Sequence, residues 1–508
     1  MTNRRVRTAE TNTQINRGEN DNDYRVSILN SFLTTPHGEM TATEKVHGEV
    51  LQCDPIFYGH LGAWYCNKGD VRDHQVAFIG NLMTSDRPEH RSAGFVLLQS
   101  LPPFMVEKVV RFINDDLKRW KTKGLPRSGK KAVETFLRSV ESDNKRLDNA
   151  IVRARHPLTY LYATNHIKPS DRAKRILFDD NPPQGSAPWA IKKIRQTDDP
   201  TEQAKLIVKH GIPYPVASTI IKKITPTVLI ALIDSMSPQE LMNNMNSIKK
   251  FGAYENADVS KLIKEKLNKG KTDKRVNTMK TRKAIEVSGE MVEELEAVGN
   301  AQVKSRDRIK RPTGILIDKS GSQHVSITVG KQVANMVGAA CDSNYYVYAF
   351  DRMPYAIVPK LKEGQTTPEL SDWEKATAGI NAQGNTSIGA PLKVMISNGQ
   401  YVEQFIVITD EGENEKPYFH EIFKEYSEKF NVQPSVWIVR TKNNQGYYSD
   451  YLEKQLKGNG VEVSALKFEG DYNSLTNLLP LLSKPSMLDL LMEIMATELP
   501  QRKDLVLV

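Results

Sequence analysis

From Tyr24 to about Val298 the apolar residues recur at helical spacing. Val106, Val109, Val110 and Ile113 fall at i, i+3, i+4 and i+7, and Val133, Phe136, Leu137 and Val140 repeat the pattern. Leu241, Met245 and Ile248 mark another such face, and Val228–Ile233 is apolar all round, which predicts a helix sandwiched between neighbours. Prolines punctuate the series at helix-sized intervals: Pro157 to Pro169 is 12 residues, Pro213 to Pro226 is 13, and Pro226 to Pro238 is 12. Proline suits the first turn of a helix and disfavours helix in the residue before it, so each marks an expected start. Short helices stacked in pairs describe a HEAT-like α-solenoid. The spacing is too ragged for a named repeat, and an irregular helical bundle is the alternative.

From Thr313 the rhythm becomes strand–helix–strand. Strands are expected at 313–318, 345–350, 355–358, 403–409, 435–439 and 461–467, with helices at about 323–340, 371–379, 388–398, 417–429, 448–457 and 472–482. Ile315, Leu316 and Ile317 have no polar residue alternating with them, the mark of a strand covered on both faces. Such alternation predicts a mostly parallel, doubly wound sheet, with ligands gathered at the carboxyl ends of its strands. Ser486–Leu499 reads as a final amphipathic helix docking on the body. The expected division is a disordered tail at 1–23, a helical array at 24–311, an α/β domain at 312–485, and a terminal helix and tail at 486–508.

Composition changes this picture in one respect. The 508 residues suffice for two to four domains, and the apolar fraction of 39% is low for a globular chain, as an extended or ring-like body with much surface would have. The net charge of +9 divides into −2 for residues 1–100, +17 for 101–311 and −6 for 312–508. A surplus confined to the middle third points to a face that binds polyanions, against the plainer reading of solvated helix surfaces. Cys53, Cys66 and Cys341 lack metal-cluster spacing and make no disulfide framework, which suits a reducing compartment. No stretch approaches the ~20 apolar residues of a membrane span, so a cytoplasmic protein with no membrane role is expected.

The candidate chemistry is one of oxygen ligands. Asp318, Ser320 and Ser322 follow the first strand at alternate positions, with Gly321 easing the turn into the next helix. Gly384-Asn-Thr-Ser387 presents Thr386 before another helix, and Ile406-Val-Ile-Thr-Asp410 is a second buried strand ending in a carboxylate. Hard oxygens converging on one point suit Mg²⁺, which prefers oxygen and keeps some water. No base is evidently paired with a hydroxyl nucleophile. Gly270-Lys-Thr272 lacks the upstream glycine of a P-loop, Ser128-Gly-Lys-Lys131 fails the same pattern, and no histidine/cysteine cluster has zinc spacing. The site reads as one for binding, and the chain as no enzyme.

Asp318-x-Ser320-x-Ser322, Thr386 and Asp410 have the pattern and order of a metal-ion-dependent adhesion site, so this third of the chain resembles a von Willebrand factor A domain. Preceded by a long helical array, it resembles the Ro autoantigen and its bacterial relatives, whose helical part is the TROVE module. Asp54-Pro-Ile-Phe57, Val71-Arg-Asp-His-Gln-Val-Ala-Phe78, Ser237-Pro-Gln-Glu-Leu-Met-Asn-Asn-Met-Asn246, Tyr346-Val-Tyr-Ala-Phe350 and Phe405-Ile-Val-Ile-Thr-Asp410 carry the likeness. The resemblance implies a ring of helices closed by the A domain, with Mg²⁺ or another divalent cation held by the five oxygen-bearing residues and an acidic group of a partner at its open position. It also implies a ribonucleoprotein of RNA quality control. Such a ring takes single-stranded 3′ ends of misfolded RNA in its hole and noncoding Y-like RNA on its outer surface, and an exoribonuclease such as polynucleotide phosphorylase is an implied partner. The family's RNA-contacting stretch maps onto Asp148–Pro157 and Thr164–Pro169, where Arg153, His166 and Lys168 match its basic positions and Asn149 stands in place of a lysine. Lys145, Arg146 and Arg155 lie beside them, and Arg172, Lys174 and Arg175 extend the charge onto the next helix. Phosphates would be attracted to such a face in a salt-sensitive way, and single-stranded ends can thread a hole that a duplex cannot enter. The competing expectation is a metal-dependent protein scaffold that uses the adhesion-type site with no RNA role.

Overall fold

The computed structural model describes residues 21–35, 40–69, 71–117, 125–273, 275–305, 308–320, 324–442, 446–468 and 477–504. Ser322, Gly321 and nearly all of the N-terminal tail lie outside them, as does the first half of the helix expected at 472–482.

Seventeen α-helices run from Asp21–Thr34 to Val292–Lys304 among the described residues. Their starts are set by side-chain caps joined to proline: Asp54, Ser186, Asp199, Thr225 and Ser237 each accept a backbone N–H of a helix carrying proline in its first turn. Each such cap contributes roughly 1 kcal/mol. At Ser237 the reciprocal bond from Glu240 completes a capping box. Pro157 behaves differently, because the helix Asn144–Asn165 runs past it. Ala154 breaks the helical conformation (φ −148°, ψ 47°), and Pro157 falls in the first turn of the segment that restarts there. The predicted apolar faces are buried, including Val106, Val109, Val110 and Ile113 and the Val133–Val140 set. The helix Pro226–Ser235 is covered on most of its circumference and open at Ile230, so it is not sandwiched all round. Helices pack chiefly on those one or two places along the chain, the neighbour-to-neighbour order of a stacked array.

The sheet contains β1 (Thr313–Asp318), β2 (Tyr345–Phe350), β3 (Pro354–Ile357), β4 (Gln404–Thr409), β5 (Ser435–Arg440) and β6 (Val463–Lys467) in the order β3-β2-β1-β4-β5-β6, with β3 alone antiparallel. Both faces are covered. Ile315, Ile317, Ile406, Ile408 and Trp437 pack into one core, and Leu316, Tyr348, Phe405, Val407 and Ile438 into the other. This is a doubly wound sheet whose chain order reverses between β1 and β4, where ligand clefts of such folds form.

Both ends of the helical series touch this unit. At the first end Asn30 Oδ1 accepts the Lys467 N–H at 2.9 Å, Asn477 Nδ2 donates to the Phe32 carbonyl at 3.2 Å, and Trp64 Nε1 donates to Glu493 at 2.8 Å. Glu493 lies on the helix Met487–Ala496, capped by Ser486, which packs on Pro55–Lys68. At the last end Asn300 Nδ2 donates to Glu369 at 2.6 Å, and Arg282 pairs with Glu374 at 2.7 Å. No helix among the described residues is long and apolar enough to cross a membrane. The three cysteines are free.

Candidate metal centre and cationic face

Parallel pairing of β1 with β4 brings their carboxyl ends side by side, Ile317 opposite Ile408, so Asp318 ends one strand as Asp410 follows the other. Asp318 is fully buried. Its Oδ1 accepts the Ser320 N–H at 2.9 Å and its Oδ2 accepts the Thr409 hydroxyl at 2.7 Å, while Thr409 Oγ1 receives the Glu411 N–H at 3.0 Å. No cationic side chain among the described residues pairs with it. Burial pushes its carboxyl up to about 6, with the neighbouring Asp410 charge acting in the same direction. An anion buried this way is better accommodated with a cation beside it.

The Thr386 loop is tied to both strand ends. The Gln383 N–H donates to the Lys319 carbonyl at 2.7 Å, and the Ser387 N–H to the Asp351 carbonyl at 2.9 Å. Lys319 itself is buried and pairs with Asp351, so it bridges β1 to β2. On the other side the Thr386 N–H donates to Asn414 Oδ1 at 3.0 Å, and the Thr386 carbonyl receives the N–H groups of Asn414 and Glu415. Glu413 completes the link. Its Oε1 accepts the N–H groups of Ile388 at 2.8 Å, Gly389 at 3.1 Å and Phe419 at 3.0 Å, so one carboxylate holds the entries of two helices. Gly389 has no room for a Cβ, which would fall 2.6 Å from the Pro417 carbonyl oxygen. Burial raises the Glu413 carboxyl to about 7 against the opposing pull of those N–H bonds.

The structure thus gathers Asp318, Ser320, Thr386 and Asp410 at one end of the sheet, while Ser322 lies outside the described residues. Ser320 and Thr386 are buried, and all four side chains offer hard oxygens, a donor set that fits Mg²⁺. Among the described residues no group of three or more histidines, cysteines and carboxylates is placed to hold a metal ion. The candidate set has two carboxylates and relies on hydroxyls for the rest. Sequence reasoning missed Thr409, the Lys319–Asp351 bridge and the Glu413–Asn414 tie, because contacts between loops distant in sequence leave no spacing to read.

The cations of the helical region divide into two groups. Arg172 grips the buried carboxylate of Asp148 with two bonds, at 3.0 and 2.7 Å. Arg153 pairs with Glu240 at 2.6 Å, and Arg155 donates to the Ile176 carbonyl at 2.9 Å and faces Asp180 at 3.5 Å. These three join neighbouring helices. Lys145, Arg146, Lys168, Lys174 and Arg175 are exposed and make no ion pair among the described residues. Lys145 and Arg146 lie in the first turn of Asn144–Asn165, and Lys174 and Arg175 near the end of Asp171–Leu177, the helix that the Arg172–Asp148 bond fixes against it. His166 is exposed and ends its helix in the left-handed region (φ 56°).

A stacked helical array whose two ends both meet a doubly wound sheet, with hydroxyl and carboxylate loops converging at the strand ends, defines the class of architecture. No family model matches the sequence, and no curated protein matches it. Among solved structures, the crystal structure of the Deinococcus radiodurans Ro (RSR) protein is similar with a TM-score of 0.58 at 13% identity, over 89% of this chain and 98% of that one. The likeness in fold to a Ro protein, expected from the sequence as helices followed by a C-terminal sheet, is therefore found along nearly the whole length of both chains.

Proposed function

We propose that the chain is a Ro-like RNA-binding protein in which the helices form a HEAT-like ring closed by a von Willebrand A-type domain. The observation that carries this reading is the group of exposed cations Lys145, Arg146, Lys168, Lys174 and Arg175, without ion-pair partners among the described residues and held on two helices and their connection in a fold shared with a Ro protein. Contacts from both ends of the helical series to the sheet unit support closure of the ring. The ligand is noncoding RNA of Y-like shape and the single-stranded ends of misfolded RNA, recognised through phosphates and form more than base sequence. Asp318, Ser320, Thr386 and Asp410, with Ser322, would hold Mg²⁺, which supplies an open position for a carboxylate.

The test is a titration of a duplex with a single-stranded 3′ tail against increasing salt. Binding should weaken linearly in log–log form, and reversing the five cations to glutamate should flatten the slope by about 0.7 for each phosphate no longer neutralised. RNA affinity that is unchanged by the reversal, with folding intact, would overturn the assignment.

A further inference from the structure

A groove of about 490 Å³ lies between the start of β3, the helix Ala390–Ser397 and the Lys416–Pro417 bend. Its apolar floor includes Met353, Val394 and Pro417, and its rim carries Arg352, Lys393 and Lys416. Met353 is 60% exposed, and β3 is the outer strand of the sheet, so this apolar floor lies at an open edge. Of the three lining cations Arg352 is paired, at 2.7 Å, with Glu415, a carboxylate that does not itself line the groove. Glu415 also accepts from Asn385 Nδ2 at 2.6 Å, and its N–H reaches the Thr386 carbonyl. The groove is therefore joined by two hydrogen bonds to the loop that presents Thr386.

We propose that this groove binds an acidic, extended protein segment, which seats one apolar side chain on the Met353–Val394–Pro417 floor and places carboxylates against Lys393, Lys416 and Arg352. Charge complementarity selects the occupant. Three cations around an apolar floor match a peptide of alternating apolar and acidic residues, whereas a nucleic-acid strand would leave the floor unfilled. The apolar contact supplies affinity and the cations supply selection against neutral and basic segments. This surface is separate from the cations of the helical region, so its success or failure does not decide the RNA reading.

A random linear peptide library displayed against the full chain, selected with and without EDTA, tests it. Enriched peptides should carry acidic residues around a single large apolar one in both conditions. Lys393→Glu and Lys416→Glu, both exposed and outside the oxygen-ligand set, should each weaken a selected peptide about tenfold while leaving binding of a tailed RNA unchanged. Enrichment of neutral or basic peptides, or none, would overturn the proposal. So would peptides whose binding disappears in EDTA and ignores both lysines, since they would belong to the oxygen-ligand site. Loss of RNA binding in the two variants would mark the groove as a nucleic-acid surface and overturn it equally.

Discussion

The helical region and the sheet unit hold their candidate functional residues in opposite ways. At the strand ends nearly every group is fixed before any ligand arrives. Asp318, Thr409, Thr386, Asn414 and Glu413 are joined by hydrogen bonds that are mostly made to backbone. On the helices the side chains free to meet a ligand are flexible lysines and arginines in water, and only the helices beneath them are locked. On the proposed reading the first arrangement would give geometric selectivity for a small cation, and the second long-range attraction that tolerates many sequences. Substitutions should therefore separate binding from stability on the helices and couple them at the strand ends.

The largest separation is expected from the five-cation reversal at Lys145, Arg146, Lys168, Lys174 and Arg175. RNA affinity near 0.1 M salt should fall on the order of a thousandfold. The urea midpoint should stay within experimental error, since surface charges contribute little to folding. Arg172→Ala should behave in the opposite sense. It strips the partner from the buried Asp148 carboxylate, and denaturation should show a loss of about 3 kcal/mol. If Arg172→Ala unfolds no more easily than Lys174→Ala, the division into structural and ligand-facing arginines is wrong.

At the strand ends Glu413→Ala should couple the two properties. Three backbone N–H groups lose their acceptor, at a cost of about 2 kcal/mol by urea denaturation. Calorimetric titration should show divalent-cation affinity falling with it, because the Glu413 part of the tie between the Thr386 and Asp410 loops is lost while the Asn414 bonds remain. Glu413→Gln keeps an acceptor oxygen and should recover most of both. An unchanged cation affinity in Glu413→Ala would show that the two loops hold their places without that part of the tie.

Much of this contrast could be read from the sequence, and the rest has a physical reason for being hidden. Strand positions were readable because a run such as Ile315-Leu316-Ile317 can only be covered on both faces, and Asp318, Thr386 and Asp410 stand out as polar residues ending such runs or opening a helix. Helix starts were readable at Pro226 and Pro238, where proline and a capping hydroxyl agree. At Pro157 the same rule found the restart of a kinked helix, and sequence could not tell a kink from a break. Charge counting found the cationic region and could not divide it. Whether an arginine faces water or a buried carboxylate depends on the packing partner, and Asp148 lies 24 residues from Arg172.

The smallest expected effect distinguishes the two regions by the sign of their pH response. On the helical side the exposed Asp180 and the half-buried Asp273 and Glu294 are carboxylates held below their ordinary values by hydrogen bonds from Lys192, Arg275 and Lys264. A depressed carboxyl stabilises the fold above its unfolded pKa, and that contribution is lost as pH falls through the folded value. Solvent screening keeps each such contribution small. Glu413 runs the other way, because burial lifts it from 4.5 to about 7 and the folded chain then binds its proton more tightly than the unfolded chain does. Its contribution is fully present below 4.5 and is lost as pH rises through 7. Subtracting the urea-denaturation profile of Glu413→Gln from that of the parent should isolate a stability that declines between pH 4.5 and 7. A difference that rises over that window would mean that the three N–H bonds outweigh burial, and that the carboxylate at the loop junction is held as an anion like those on the helices.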